Sequence, residues 1–434
     1  MKYFKYLFLA SILVFSFSSK SYNTTKQPAP NYKLEVIGLN SRITNKLSDF
    51  ANSLYIQKQI NHFRKQWGLH GVSVAVVKDE KLVYAQGFGQ ADSIGSEVEA
   101  GSLFRVASVS KLLTAIGVMR LVDDNKLKLD DTVFGPEGII KDSVFNEVAD
   151  KRLYQVTVRH LLAHAGGWTQ RAGDPAFNSI LIAEKVGDPL PATIQSYFKF
   201  VATRRLSFTP GSQSVYSNMG YMFLGEVIAA ASGKSYESYI REDVLEPIGI
   251  LDMHIGNSYQ TARLENEVCY FQSANVPPIP AFNGSGNLVD KTNGGNPIEL
   301  LSAAGGWICS AVELARLISY IDGKPEVKDI LSENSIAEMT NSTYARGPLG
   351  WKTALDNGNW IRTGNMAGTS AMIKRQADGL TWVFLSNTSS WKGASLANDI
   401  SGLMARICLT IKEWPQHDLF TTDQLSAGFS AIPN

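Results

Sequence analysis

Phe104-Arg-Val-Ala-Ser108-Val-Ser-Lys111-Leu-Leu-Thr-Ala-Ile-Gly-Val-Met119 is the stretch that decides how the rest of the chain is read. A short apolar lead-in runs into an unbroken series of good helix formers. Leu112, Ile116, Met119 and Val122 recur at helical spacing, so the helix is buried and ends near Asn125. The turn falls at Ser108. There the unpaired backbone N–H groups and the helix dipole favour negative charge. Lys111 lies one turn on, on the same face. A lysine held among apolar residues has its pKa lowered, and a serine nucleophile needs a neighbour that takes its proton. This is the pattern S-x-x-K.

The spacing alone decides little, because it occurs three times: Ser108/Lys111, Ser196/Lys199 and Ser389/Lys392. The second lies in a stretch that reads as an ordinary amphipathic helix, and the third runs into a turn at Gly393. Only the first opens a buried helix. Taken by itself it fits a helix-capping serine and a solvated lysine equally well.

The chain has 434 residues, 44% hydrophobic and 19% charged, a globular composition with ample core. The formal net charge of +1, with no long basic block, gives no footprint for nucleic acid as a partner. Cys269, Cys309 and Cys408 are too few and too scattered for a disulfide framework, with a single bridge left open. The six histidines form no cluster at metal-ligand spacing. At the N-terminus, Lys2 and Lys5 precede an apolar run from Tyr6 to Phe17 and a small-x-small site at Ser16-Phe-Ser18. That reads as an export signal over 1–18, too short for a membrane span, and places the mature chain in the periplasm or outside the cell. Residues 19–46 read as a polar linker, and the segment after Trp414 carries no pattern.

Strand patterns lie near both ends. A helix over Ser48–Trp67, with Ile56, Ile60, Phe63 and Trp67 on one face, leads to a hairpin of Gly71–Val77 and Leu82–Phe88. Further strands are expected over Leu349–Leu355, Trp360–Gly364, Ser370–Arg375 and Leu380–Leu385, with a turn at Asp378-Gly379. A last helix carries Leu396, Ile400, Leu403 and Ile407. Between them the chain is mostly helical: Val156–Gly167, Pro189–Ala202, Met219–Ser232 and Ala311–Ile321, the last capped by Ser310 with Glu313. The expected fold is α+β. An antiparallel sheet from both chain ends (47–128 and 345–412) is flanked by helices and carries a mostly helical insert (129–344), with a tail over 413–434.

Two further motifs bear on Ser108. Tyr216 is the only one of sixteen tyrosines followed two residues later by asparagine, Asn218. In extended backbone those side chains face one space. The phenol there can shuttle a proton, while the carboxamide can donate to a substrate carbonyl and accept from a lysine. The plain alternative is a packed tyrosine and an asparagine helix cap. The other motif is Arg362-Thr363-Gly364-Asn365. A cation on a strand can hold an anionic group, and the glycine leaves room for a substrate against the strand edge. The plain alternative is a surface arginine.

Together, in this order, the three motifs resemble those of the serine β-lactamase and penicillin-binding superfamily. With Tyr-Ser-Asn in second place, the chain is most similar to the branch of class C β-lactamases, D,D-carboxypeptidases and family-VIII esterases. The likeness runs from about Gly71 to Ser401. It includes Thr157-Val-Arg-His-Leu-Leu-Ala-His164, Pro210-Gly211 and Ala304-Gly-Gly-Trp307. It implies an acyl-enzyme hydrolase needing no cofactor and no metal, acting on a small-molecule or peptide substrate. It also implies Ser108 as nucleophile, Lys111 and Tyr216 as the proton-transferring groups, and Asn218, Arg362, Thr363 and Gly364 as substrate-binding residues. The backbone N–H groups of Ser108 and Asn365 form the implied oxyanion hole. The third motif departs from the usual Lys or His in having Arg362, which points to a substrate carboxylate. Asn365 stands where a small residue is common, so its side chain is expected to narrow the cleft. His164 reads as a structural histidine under the site, with a catalytic base as the alternative, and Trp168 and Trp307 as core, with pocket lining as the alternative. The same residues also fit an acyl transferase, and the fold fits a non-catalytic sensor.

Overall fold

The computed structural model describes residues 38–171, 173–272, 276–341 and 347–421. The expected export signal, and the linker up to residue 37, lie outside them. Residues 38–46 are a packed part of the fold. Leu39 and Ile43 are buried, and Asn45 bonds the backbone of Gly87 and Val98.

Helix α1 (Ser53–Gln66) is followed by strands β1 (Gly71–Lys78), β2 (Lys81–Gly89) and the short β3 (Phe104–Arg105). Then come α2 (Ser110–Asp123), α3 (Val158–Leu162), α4 (Ile194–Ala202) and α5 (Asn218–Ser232). The chain continues through β4 (His254–Ile255), β5 (Trp307–Cys309) and α6 (Ala311–Ser319). It returns to the sheet as β6 (Thr353–Ala354), β7 (Trp360–Met366), β8 (Thr369–Arg375) and β9 (Leu380–Ser386), and α7 (Leu396–Thr410) follows.

The main sheet has six strands in the order β2-β1-β9-β8-β7-β6, every neighbour antiparallel. Its centre is the pairing of β1 with β9, so the two ends of the sequence close one sheet, as expected from the strand patterns. Val72, Val74 and Val76 face one side with Trp382 and Phe384, under Ile56, Ile60 and Phe63 of α1 and Leu396, Ile400 and Leu403 of α7. Each such fully buried aliphatic side chain contributes about 1.5–3 kcal/mol. Ala75, Val77, Val383 and Leu385 face the other side and join the core shared with α2, α5 and α6. Helix α6 packs on β1 and β9 although its sequence lies within the mostly helical stretch.

Several boundaries differ from the sequence pattern, each for a local reason. Helix α3 stops at Leu162 because His164 adopts a left-handed backbone (φ 56°). Helix α4 starts only at Ile194, after a capping box at Thr193 and Ser196. Of the strand expected over Leu349–Leu355 only Thr353–Ala354 pairs, since Gly350 turns the chain at φ 78°. All three cysteines are free. Beyond α7, Leu419 N–H reaches Leu82 O, and Asp418 accepts from Leu82 N–H.

Candidate active site

The Ser108 turn is anchored before it is bent. Phe104 and Arg105 pair with Cys309 and Ile308 of β5, and Val106 N–H donates to Trp307 O. The buried Arg105 guanidinium donates to Asn257 O and Thr292 O and stacks on Tyr270. Ala107 then takes a left-handed backbone, φ 48°, which costs a non-glycine residue about 1–2 kcal/mol. The anchored lead-in holds that strained turn in place. Ser108 sits on it, in a 3₁₀ turn over Ala107–Val109 just ahead of α2. Its hydroxyl makes no cap. It lies 2.7 Å from the Tyr216 hydroxyl and 3.3 Å from Lys111 Nζ.

Lys111 is wholly buried, and among the described residues no carboxylate is bonded to it. Nζ donates to Asn218 Oδ1 and Ala304 O, both at 2.5 Å, and its third direction faces Ser108 Oγ. Two carbonyl oxygens can only accept, so two N–H groups are fixed. The third position either donates a proton to Ser108 or, in the neutral amine, presents a lone pair to it. Burial is the largest influence and lowers the Lys111 pKa. The nearby Arg362 charge lowers it too, against a raising contribution from Tyr216. Ala304 reaches Lys111 because residues Ser302–Gly306 form a π-type turn, a distortion often found at functional sites.

Ser217 is extended, so Tyr216 and Asn218 face the same space. Ser217, not Asn218, caps α5, accepting from Gly220 N–H. Tyr216 is 40% exposed as a residue, while its hydroxyl is bonded to Ser108 and feels the charges of Lys111 and Arg362. Burial pushes its pKa up. The two cations, with hydrogen bonds from Lys111 and Ser108, outweigh this and bring it down to about 8.

Three further groups support the cluster, and of these only Asp174 carries no distinguishing sequence signal. Asp174 accepts from Asn218 Nδ2 at 2.5 Å and so fixes which end of the carboxamide faces Lys111. In sequence it is one aspartate before a proline. His164 accepts the Ser217 N–H on Nδ1 at 3.2 Å, and its ring lies 4.5 Å from that of Tyr216. Burial, then Lys111 and Arg362, hold its pKa well below the usual histidine range, so it is a neutral support. Trp307 is core, donating to Tyr236, while Trp168 is half-buried against Phe134 and Phe223. The Ala304 carbonyl was legible only as part of a flanking stretch.

The third motif is placed differently from the expectation. Arg362 is 3% exposed, and its Nε and Nη2 both donate to the backbone carbonyl of Ser108, at 2.7 and 2.5 Å. Gly364 backs onto the same turn: a Cβ there lies 2.1 Å from Val106 O and 3.1 Å from Ser108 N. The room left by that glycine is therefore occupied by the Ser108 turn. Thr363 and Asn365 border a small recess with Gly393, Ala394 and Leu396. The Asn365 amide is tied back to Thr369 O and Ser370 Oγ. A cavity of about 360 Å³ opens beside Asn365, lined by Phe177, Gln272, Val276, Lys291 and Met366. A larger hollow of about 760 Å³, bordered by Asn40, Glu97 and Glu267, contains none of these groups. Among the described residues no set of three or more His, Cys, Asp or Glu side chains is placed to hold a metal ion. No helix among them is long and apolar enough to cross a membrane.

A family model described as Beta-lactamase matches residues 56–402, which hold the main sheet and every residue of this cluster. The chain belongs to the Beta-lactamase family. Among its relatives is the D-alanyl-D-alanine-carboxypeptidase/endopeptidase AmpH of Escherichia coli K12, 25% identical over 47% of this chain and 50% of AmpH. A putative D-alanyl-D-alanine carboxypeptidase of Escherichia coli O157:H7 is 25% identical over 42% of each chain, so this chain spans about half the length of these relatives or less. The match to esterase EstB of Burkholderia gladioli is longer, 25% identical over 74% of this chain and 86% of EstB. The fold is shared with a D-amino acid amidase from Ochrobactrum anthropi SV3 (TM-score 0.62, 22% identity, 82% of this chain and 98% of that one). It is shared also with SurE (TM-score 0.63, 22% identity, 84% and 78%). The sheet assembled from both chain ends is thus that of the Beta-lactamase family.

Proposed function

We propose that the protein is a serine hydrolase that cleaves an amide or ester through an acyl-enzyme on Ser108. The observation that carries this is the Ser108 hydroxyl held between the Tyr216 phenol and a buried lysine with no carboxylate bonded to it. Ser108 Oγ attacks the substrate carbonyl and its proton passes to Tyr216, the nearer group, whose anion is favoured by Lys111 and Arg362. The tetrahedral oxyanion is met by the backbone N–H groups of Ser108 and Asn365, each such donor contributing about 3–4 kcal/mol. The phenol returns the proton to the leaving group. Water then attacks the acyl-enzyme and gives its proton to Tyr216, which passes it to the departing Ser108 Oγ, so that the serine hydroxyl and the phenolate are both restored. Asn218, held by Asp174, keeps Lys111 in place and borders the substrate.

The substrate class follows the relatives: a D-amino-acid peptide or a carboxylic ester, with a β-lactam below both. The long match to EstB favours the ester, while AmpH favours the peptide. The N-terminal pattern adds export to the periplasm or beyond as part of this reading. The test is labelling with a fluorophosphonate and a fluorescent penicillin, followed by kinetics on p-nitrophenyl esters, D-Ala-D-Ala peptides and nitrocefin. Labelling lost in Ser108→Ala supports the proposal. An intact protein that no acylating probe labels sinks it. Product analysis with an added amine acceptor separates hydrolysis from acyl transfer.

A further inference from the structure

The cation of the third motif faces the nucleophile. Arg362 lies on β7, where the register sets it opposite Ile373 of β8 and on the core side of the sheet. It is 3% exposed. Two nitrogens of its planar fork converge on one atom, the Ser108 carbonyl oxygen. A bidentate guanidinium fixes direction as well as distance, which a lysine ammonium cannot do. Two residues along, Gly364 fits against Val106 O and Ser108 N. The strand therefore grips the peptide units before and after Ser108.

This grip has a load to hold. Ala107 is in the left-handed region with a side chain, and Ser108 makes no cap bond that fixes the start of α2. The anchored lead-in holds the turn only as far as Val106, so a brace on the Ser108 carbonyl is what keeps Ser108 Oγ against Tyr216 and Lys111. The groups around the guanidinium are Lys111 of α2, His164 after α3, and Tyr216 and Tyr221 at and in α5. The carboxylate of Asp174 acts on Lys111 from the far side of Asn218, while Tyr216 feels the charges of Lys111 and Arg362.

We propose, resting on the reading of Ser108 as nucleophile, that Arg362 is a positioning residue that braces the Ser108 turn and charges the site from behind. It is not the residue that binds a substrate carboxylate. The substrate class then needs no carboxylate next to the scissile bond, and neutral acyl esters and amides are accepted as well as anionic ones.

The experiment compares Arg362→Lys and Arg362→Gln with the parent on two substrates, a neutral p-nitrophenyl ester and a carboxylate-terminated D-Ala-D-Ala peptide. Arg362→Lys keeps the charge and loses the fork. The expected result is a fall in kcat of about tenfold on both substrates, with KM changed by less than about threefold. Arg362→Gln loses the charge as well. Its kcat falls further, and the rising limb of the pH profile moves above that of the parent, while Arg362→Lys leaves the limb in place. A KM increase confined to the carboxylate substrate, with kcat intact, overturns the proposal. So does a loss of kcat in Arg362→Gln with an unmoved limb. If Arg362→Gln does not fold, the kcat and KM pattern of Arg362→Lys decides alone. Ser108→Ala is run alongside: if it keeps full turnover, the nucleophile reading fails, whatever Arg362 does.

Discussion

Two parts of the molecule carry the same spacing and have opposite characters. At Ser196/Lys199 the serine completes the capping box of its helix, accepting from Thr193 N–H, and Lys199 is 47% exposed in an ion pair with Asp188. At Ser108/Lys111 the serine caps nothing, and the lysine is wholly buried among carbonyl oxygens. Ser389/Lys392 falls with the former. Ser389 Oγ accepts from Gly368 N–H, and Lys392 pairs with Asp399 over the Trp67 ring. A carboxylate partner keeps a lysine charged; burial beside carbonyls and a second cation favours its neutral form. What sets Ser108/Lys111 apart from the two other pairs is therefore the lysine's partner and its access to water, not the spacing.

The sharpest way to break this comparison is to remove each serine. Ser108→Ala is expected to cost at least about 10³-fold in kcat/KM and to abolish probe labelling. Ser196→Ala and Ser389→Ala should label like the parent. A parent-like Ser108→Ala would falsify the comparison outright. Next come the lysines. Lys111→Ala should lower kcat by about 10²–10⁴-fold. Lys199→Ala should leave turnover unchanged and shift stability by no more than about 1 kcal/mol in a denaturant titration, as for an exposed ion pair.

Gly364→Ala tests the packing behind the turn. A Cβ 2.1 Å from Val106 O forces β7 away from Ser108, and a misplacement near 1 Å costs about 10²-fold. Turnover close to the parent's means that this approach is not needed. The pH profile sharpens the electrostatic side. Tyr216 accepts a proton only as phenolate, and with its pKa lowered to about 8 the phenolate fraction grows as pH rises through that value. kcat/KM should therefore climb with pH to a plateau above about 8. Tyr216→Phe should lose most activity and the limb with it; a parent profile flat from acid to alkaline pH contradicts the assignment. The smallest effect is expected at Asp174. Removing one charged hydrogen bond to Asn218 in Asp174→Ala should lower kcat by about tenfold, the low end of the roughly 1.5–3 kcal/mol such bonds contribute, because Asp174 acts only through Asn218. An unchanged kcat shows that Asn218 holds its orientation unaided.

The sequence by itself determined the sheet and the three motifs. Strand alternation at both ends, the Ile56/Ile60/Phe63 and Leu396/Ile400/Leu403 faces, and the turn at Asp378-Gly379 are local signals, because strand and helix periodicity follow from side-chain direction. Ser108, Lys111, Tyr216 and Asn218 were legible as types at characteristic spacings. Contacts made by backbone atoms or across long separations were not. The Ala304 carbonyl on Lys111 depends on a π-type turn nearly two hundred residues away in sequence. Asp174 on Asn218 and His164 on Ser217 depend on how loops fold over α5. The reversal at Arg362 has the same origin. In sequence it is a cation on a strand, available to any anion. Only the tertiary structure turns it towards the core, because the β7–β8 register sets its face and the left-handed turn at Ala107 presents the Ser108 carbonyl to it.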